Sequence, residues 1–311
     1  MATRPFPISP QLTAIALAYR NPDMSLIADD VLPRTPTAQE FKYLTYDLAQ
    51  GYTVPNTLIG RKSAPNQVDF QATETLGKCD DYGLSDLIPN EDIQADNQGI
   101  DPLGTSTAYL TNLINLAREQ RVANLVFNGA SFAAANQATL SGTSQWSDQT
   151  NSDPVAAIGD ALDMPVMRPN IAVFGQSTWT KLRRHPKIVQ AVKGTAQGAG
   201  MVSRQEFADL FELQNVYVGA GFANAAKKGQ AVNMQRLWGK NAAFIYRDRA
   251  AGPQAGVTFG FTADWGGRYV PPPVEDAKIG AYGAKFVKVI ESVKELVVAK
   301  DIGYYFANAV A

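Results

Sequence analysis

The stretch DPLGTSTAYLTNLINLAREQRVANLVFNG, residues 101–129, decides the fold because it predicts the longest helix of the chain. Asp101 suits the N-cap, Pro102 suits the first helical turn, and Gly129 stands where helices commonly end. The apolar residues form one broad stripe: Tyr109, Leu113, Leu116, Ala123 and Phe127, widened by Leu110, Ile114, Ala117 and Leu125. Such a helix is roughly 35–40 Å long, about the width of a domain, so we expect a structural spine.

Residues 49–84, which precede this helix, predict a long β-hairpin. Its tip, GRKSAPN at residues 60–66, is rich in turn-forming residues and carries Arg61 and Lys62. On the return strand, apolar residues alternate with polar ones from Val68 to Thr73, with a period of two. A hairpin of this length cannot bury its apolar face alone, so we expect it to pack on its own subunit or on a neighbour.

Residues 1–48 predict an extended arm. Pro33 and Pro36 exclude a long helix and favour extended backbone. Phe41 and Tyr43 follow, and aromatic or aliphatic side chains occur on both faces of this segment. The pattern indicates a strand that is covered on both sides.

The chain after the spine alternates helices and strands. Strands are predicted at NIAVFG and NVYVG, and a helix divided at Pro186 lies between them. Ser203 and Glu206 form a capping box for a further helix, and the final third reads mostly as strand. The predicted fold class is therefore α+β.

The composition limits the class of protein. The 311 residues have a formal net charge of -1, which argues against a protein built to grip nucleic acid but allows a surface that lies beside DNA. The single cysteine, Cys79, cannot form an internal disulfide. No signal peptide or membrane-spanning stretch is evident, so we expect a protein made inside the cell without membrane association.

The sequence offers few residues for chemistry. His185 is the single histidine, and we interpret it as a helix-end residue rather than a base or metal ligand. Carboxylates beside Cys79 would raise the pKa of its thiol, which disfavours a nucleophile. Gly219 and Gly221 follow a strand but lack the rest of a dinucleotide fingerprint, so we expect a glycine-permissive turn. We therefore predict no enzyme, no catalytic or metal site and no cofactor.

Basic residues flank His185 and leave two interpretations open. Arg183, Arg184 and Lys187 could contact phosphate. The simpler interpretation is a solvated helix end or a contact between subunits.

The order and spacing of the segments resemble the major capsid proteins of tailed double-stranded DNA bacteriophages, a family that shares its fold with encapsulins. The resemblance covers about residues 21–310. The segments that carry it are LIADDVLPRTPT and FKYLTYD (arm), GRKSAPNQVDFQATETLGKCDDYGLSDLIPNEDIQAD (extended loop), STAYLTNLINLAREQRVANLVF (spine), NIAVFGQSTWTKLRRHPKIVQAVKG (peripheral domain) and KFVKVIESVKELVVAKDIGYYFANAV (closing strands of the axial region).

This resemblance implies a division of the chain. The N-terminal arm would span residues 1–48 and the extended hairpin loop residues 49–84. A peripheral domain, residues 85–175, would contain the spine helix, and residues 176–311 would form the axial domain with closing strands that return to the peripheral domain. Arg61 and Lys62 at the loop tip, and Phe41 and Tyr43 in the arm, would contact neighbouring subunits.

The resemblance also implies partners. Copies of the chain would assemble through pentamers and hexamers into an icosahedral shell around double-stranded DNA, held without sequence-specific binding. Little more than about 20 residues precede the arm-like segment LIADDVLPRTPT, fewer than the scaffold segment of some members, so we expect a separate scaffolding protein and no large N-terminal cleavage. A portal protein is implied, a decoration protein is allowed, and the protein would assemble in the host cytoplasm and remain in the virion.

Two alternatives stay open at this point. An encapsulin-like compartment has the same fold, and expression of the chain alone would distinguish it by yielding uniform closed shells. An enzyme that binds a nucleotide near Gly219 is the second alternative, and a thermal shift on nucleotide addition would reveal it.

Overall fold

The computed structural model describes residues 25–46, 51–69, 72–94, 101–194, 200–227, 229–252 and 256–311. Of the predicted arm it therefore describes residues 25–46. Within these ranges, no helix combines the length and the apolar character that crossing a bilayer requires.

The described residues form seven α-helices and fourteen strands. The helices are α1 (Ala28–Val31), α2 (Asn90–Gln94), α3 (Pro102–Val126), α4 (Pro154–Asp163), α5 (Gln176–Leu182), α6 (Pro186–Lys193) and α7 (Arg204–Leu210). The strands are β1 (Arg34–Pro36), β2 (Glu40–Tyr46), β3 (Ala72–Lys78), β4 (Asp80–Pro89), β5 (Gln137–Thr139), β6 (Ile171–Gly175), β7 (Asn215–Gly219), β8 (Phe222–Asn224), β9 (Met234–Arg236), β10 (Ala242–Ile245), β11 (Gly260–Tyr269), β12 (Val274–Asp276), β13 (Ala284–Val297) and β14 (Gly303–Ala307).

The predicted spine is helix α3. The Asp101 side chain accepts a hydrogen bond from the backbone N–H of Leu103, and Pro102 occupies the first turn, as the sequence predicted. The helix ends at Val126, and Gly129 begins a short 3₁₀ turn instead of closing the helix. Leu110 and Ile114 are buried as expected.

The spine packs on a five-stranded sheet built around β13. Strand β13 pairs with β4 along one edge and with β11 and β12 along the other, and β1 adds to β11 in parallel. Leu110 and Ile114 of α3 meet Ile88, Val287 and Val289 of this sheet in one apolar cluster. The 14-residue strand β13 thus joins the arm, the spine and the hairpin exit.

A second sheet, of order β5-β14-β10-β6-β7, is covered on both faces. In β6, Ala172 and Phe174 face a cluster that includes helices α4 to α7, whereas Ile171 and Val173 face a cluster that includes the end of α3 and helix α1. Two-sided burial explains why NIAVFG is continuously apolar.

The hairpin differs from its prediction. Its strands are β2 and β3, which pair from Glu40↔Lys78 to Tyr46↔Ala72. The predicted strand at 41–46 is therefore one strand of the hairpin. Phe41 is buried, whereas Lys42 on the opposite face is exposed, so the strand is not covered on both faces. The return strand begins at Ala72, because residues 64–69 find no strand partner within the described chain.

His185 is fully buried at the N-cap of α6. The Ser152 hydroxyl donates to the carbonyl of Asp148 at 2.6 Å, so Nε2 of His185 donates to Ser152 Oγ at 3.0 Å. The other ring nitrogen, Nδ1, is buried without a hydrogen-bond partner among the described residues. Burial lowers the pKa of His185, because a proton on Nδ1 would have no acceptor. The helix-end position was predicted correctly, and the side chain lies in the core.

We expect the stability of this fold to fall as the pH drops below about 6.5, the pKa of an unfolded histidine. Because the folded pKa is lowered, the unfolded chain takes up the proton first, and stability declines by up to about 1.4 kcal/mol per pH unit until the folded His185 is protonated. Thermal unfolding of the wild type and of His185→Gln at pH 7.5, 6.5 and 5.5 measures this effect. The glutamine variant should be less stable at pH 7.5, and the difference should shrink towards pH 5.5. A difference that stays constant over this range would contradict the assignment.

Candidate assembly site

Helix α1 of the arm is held by a buried carboxylate on the spine. Glu119 accepts hydrogen bonds from the backbone N–H groups of Ile27 and Ala28, both at 2.8 Å. It also accepts one from the indole N–H of Trp238 at 2.5 Å. The first N–H groups of a helix have no partner inside the helix, so Glu119 supplies the acceptor that the start of α1 needs.

Two features of the environment act on the ionisation of Glu119 in opposite directions: three N–H donors favour the ionised carboxylate, and burial disfavours it. Glu119 is only 1% exposed. Burial raises the pKa of its carboxyl group, while the three N–H donors act in the opposite direction. All three groups can only donate, so the carboxylate form satisfies every one of them.

The neighbouring residue on the spine, Arg118, holds the other end of α1. Its guanidinium donates to Asp29 at 2.5 Å, to the carbonyl of Leu32 at 3.3 Å and to Thr262 Oγ1 at 3.0 Å. Burial lowers the pKa of Arg118, but guanidinium groups keep their proton in proteins. Arg118 and Glu119 therefore bind opposite ends of the same short helix.

A second buried carboxylate ties the next part of the arm to the sheet. The Glu291 side chain is fully buried and lies 3.3 Å from Arg34, 2.9 Å from Arg268 and 3.8 Å from Arg121. Arg34 also contacts Asp264 at 3.2 Å. A buried charge is tolerated only when it is paired and hydrogen-bonded, so these residues fix the path of β1 across the sheet. We call Arg118, Glu119 and Glu291, with these partners, the arm anchor.

The hairpin leaves the body at a small apolar cluster. Phe41 is buried with Cys79, Phe261 and Ala263. A Cβ atom built on Gly77 would lie 2.5 Å from the Phe41 ring, so only glycine permits this approach. The base of the hairpin is therefore fixed to the chain's own body.

Beyond this base, the projecting loop (residues 51–69) is exposed at every position. Val54 is 91% exposed and Leu58 is 83% exposed, although both are aliphatic. Arg61 and Lys62 lie at the turn closed by the hydrogen bond from Ser63 N–H to the Gly60 carbonyl. The loop thus presents apolar and basic side chains away from the body.

The first sheet carries an apolar row on the face opposite the spine. Ile88 packs towards the spine, so its neighbour Leu87 points the other way. Phe286 on β13 is the cross-strand partner of Leu87 on one side and of Val274 on the other, and directly paired residues share a face. Val274 is 56% exposed and Leu87 36% exposed. We call Leu87, Phe286 and Val274 the apolar row.

The four residues predicted to contact neighbours are therefore in two environments. Arg61 and Lys62 lie on the exposed loop. Phe41 is 8% exposed and belongs to the hairpin base, where it packs near Tyr43 with ring centroids 6.3 Å apart. Tyr43 is half-buried and retains surface for a partner. Phe41 is thus an internal contact rather than an available external one.

The remaining candidate residues have structural environments. Burial raises the pKa of the Cys79 thiol, and Asp264 and Asp80 act in the same direction, as expected for an unreactive cysteine. A Cβ atom on Gly219 would lie 2.0 Å from the Trp238 ring, so close packing, rather than the predicted turn, requires glycine there. Strand β8, not a helix, follows Gly221, which is not the arrangement of a dinucleotide site.

Sequence reasoning missed the arm anchor, although a signal was present. Residues 110, 114, 118, 122 and 126 form one i, i+4 row of the spine, and all of them are buried. Four are apolar and the middle one is Arg118. A charged residue at the centre of an apolar row indicates a buried ion pair, and Glu119 beside it reinforces the signal.

Comparisons with known proteins agree with this fold. The family model described as Phage major capsid protein E matches residues 131–270. A major capsid protein of Pseudomonas phage JBD67 is 53% identical over 312 residues, covering 100% of both chains. A crystal structure of a phage-related protein from Bordetella bronchiseptica RB50 is similar with a TM-score of 0.72 at 20% identity, covering 97% of each chain. The capsid structure of Cyanophage P-SCSP1u is similar with a TM-score of 0.60 at 10% identity, covering 93% of this chain and 89% of that one.

The predicted resemblance and the predicted α+β capsid fold are thereby confirmed. The likeness to the two solved structures establishes the fold, and the identity to the Pseudomonas phage protein over the full length establishes the family. The chain belongs to the phage major capsid protein family, and it is a structural component of a phage shell.

Proposed function

We propose that copies of this chain assemble through pentamers and hexamers into an icosahedral shell that encloses double-stranded DNA. The observation that carries this proposal is the projecting loop, whose 19 residues are all exposed and include Val54 and Leu58. Burying one such aliphatic side chain contributes about 1.5–3 kcal/mol, so the loop gains stability by packing on another copy. The protein would assemble in the host cytoplasm and remain in the virion.

The apolar row offers the loop a surface of matching chemistry. Leu87, Phe286 and Val274 lie side by side on the outer face of the first sheet. Covering an apolar patch with the apolar loop of a neighbour removes both from water. Each such contact is small, but it recurs at every subunit of a closed shell. Arg61, Lys62 and Tyr43 are the polar and aromatic residues that we propose to contact the neighbour.

The arm anchor supports the same function because it sets where the hairpin projects. The anchor fixes Ile27 to Arg34 on the spine and the sheet, and strand β2 begins six residues after Arg34. A loop aimed in one direction by a rigid base meets the same neighbour in every copy. Separate scaffolding and portal proteins, and an optional decoration protein, belong to this proposal because the family resemblance implies them.

We expect Val54→Asp combined with Leu58→Asp to abolish shell formation without unfolding the subunit. Both side chains are exposed, so the melting temperature should change little. Two charges in the buried contact would have no partner, so assembly should fail. Electron microscopy and sedimentation, under conditions in which the wild type forms shells, measure the outcome.

The matched control places two acidic residues elsewhere in the same loop. Thr57→Asp combined with Gln67→Glu adds the same charge and keeps Val54 and Leu58. This control should assemble as the wild type does. Normal shells from the Val54 and Leu58 variant would refute the proposed role of the loop.

We expect Glu119→Ala to release the arm. The substitution leaves the N–H groups of Ile27, Ala28 and Trp238 without an acceptor, which weakens arm docking by about 3 kcal/mol or more. Limited trypsin digestion followed by mass spectrometry measures the rate of cleavage after Arg34. This rate should rise in the variant, and shell yield should fall.

Two internal standards accompany the digestion. Cleavage after Arg61 and Lys62 on the exposed loop should proceed at the same rate in all variants. Gln120→Ala, at the exposed neighbouring position of the spine, should leave Arg34 protected. Equal cleavage after Arg34 in wild type and Glu119→Ala would show that the arm does not depend on this carboxylate.

A further inference from the structure

The segment from Gln176 to Arg204 is strongly basic in a chain of net charge -1. It contains no Asp or Glu and six cationic residues: Lys181, Arg183, Arg184, Lys187, Lys193 and Arg204. We call these six residues the basic surface. The proposed shell function does not explain them.

The fold brings three residues of the basic surface, Arg183, Lys193 and Arg204, to one crossing of the chain. The backbone N–H of Val202 donates to the carbonyl of Arg183 at 2.9 Å, so the start of α7 lies against the end of α5. A Cβ atom built on Gly200 would lie 3.8 Å from Lys193 Nζ, which places the end of α6 at the same crossing. Burial lowers the pKa of Arg204, and the nearby charge of Arg183 acts in the same direction. Three helix ends therefore gather positive charge in one place.

Within the described residues, this charge is only partly compensated. Lys187 forms a salt bridge with Asp153 at 3.0 Å, and Lys193 lies near the Glu206 carboxylate. Lys181, Arg183, Arg184 and Arg204 form no salt bridge among these residues. The Nε atom of Arg183 is buried and has no hydrogen-bond partner. Like charges held together repel one another, so an anion from outside the chain would relieve this arrangement.

Carboxylates of a second copy are a poor source of that anion. The most acidic stretch of the chain, residues 79–117, has seven acidic and no basic residues. Several of its carboxylates are already engaged: Asp80 with Lys294, Asp81 with Ser292, Asp86 with Ser106, and Asp101 at the N-cap of the spine. Four of the six cations are exposed and three of the six are arginines, which suits phosphate oxygens instead.

We propose that the basic surface binds the phosphate backbone of double-stranded DNA on the inner side of the shell. This inference rests on the proposed function, because it needs a shell with DNA inside. Few phosphates would be neutralised per subunit, so the contact is weak and independent of sequence. Such a contact orders the outermost DNA without immobilising it, which agrees with the near-neutral charge of the whole chain.

The first test uses a fluorescent mixed-sequence DNA duplex and the unassembled full-length chain. The triple variant Arg184→Gln, Lys193→Gln, Arg204→Gln changes three exposed residues and leaves the half-buried Arg183 in place. Fluorescence anisotropy at low salt should show at least tenfold weaker binding than the wild type. The slope of log K against log salt should decrease by roughly 2–3, as expected for three lost phosphate contacts.

The matched control removes the same charge elsewhere. Lys240→Gln, Lys278→Gln, Lys288→Gln changes three exposed lysines outside the basic surface. This control should bind the duplex like the wild type. Equal loss of binding in both triple variants, or no loss in the first, would overturn the proposal.

The second test determines whether the basic surface lies on the inside or the outside of the shell. Gln190→Cys adds a thiol at an exposed position of α6, and Cys79 is 2% exposed and therefore silent. A bulky polyethylene glycol maleimide should label dissociated subunits but not intact shells. Labelling of intact shells would place the surface outside and refute the inference.

These tests separate the two proposals. If the Arg184, Lys193 and Arg204 triple variant binds DNA like the wild type but forms no shells, the basic surface is an interface between subunits, and the DNA-binding proposal is rejected. A wild type that binds DNA through this surface but never forms shells would reject the shell function instead.

Discussion

The arm depends on one buried carboxylate. Glu119 is removed from water and receives three N–H donors, two of them from the backbone of residues 27 and 28, which lie 92 and 91 positions earlier in the chain. A buried carboxylate without these donors would be strongly unfavourable. The arm therefore cannot shift along the spine, because a shift would leave the Glu119 carboxylate buried without hydrogen-bond donors. Hydrogen-bond geometry therefore gives the arm a single register, which apolar packing alone would not specify. Strand β2 begins six residues after the anchored Arg34, so this register also limits where the hairpin starts.

The two sheets differ in how completely they are covered within one chain. The second sheet is covered on both faces and contains the large aromatic core around Phe174 and Phe244, so it is complete within one chain. The first sheet is covered by the spine on one face and leaves the apolar row on the other. The subunit is thus stable as a body but unfinished at its hairpin and outer sheet face. In the proposed shell, association would complete those regions without requiring the body to refold.

Local sequence signals correctly predicted features that are stabilised by contacts between residues close together in the sequence. The N-cap at Asp101 and the capping box of Ser203 and Glu206 were both correct, because each depends on residues three or fewer positions apart. The predicted return strand near Val68 was wrong, since residues 64–69 have no strand partner among the described residues and the paired strand β3 spans Ala72–Lys78. The burial of Arg118 was not predicted. Its burial depends on Asp29 and Thr262, 89 and 144 positions away, and no local pattern reports such distances.

The basic surface and the projecting loop illustrate two ways in which a subunit can be incomplete. Exposed apolar side chains such as Val54 are stabilised by burial against any apolar surface. Their specific partner is therefore determined by shape and by the fixed direction of the hairpin. Uncompensated cations such as Arg204 favour any anion, and their contacts weaken with salt and with distance. A shell needs the first kind of contact between subunits, where permanence matters. If the shell encloses DNA as proposed, the second kind suits the contact with that DNA, because weak and non-directional attraction allows movement.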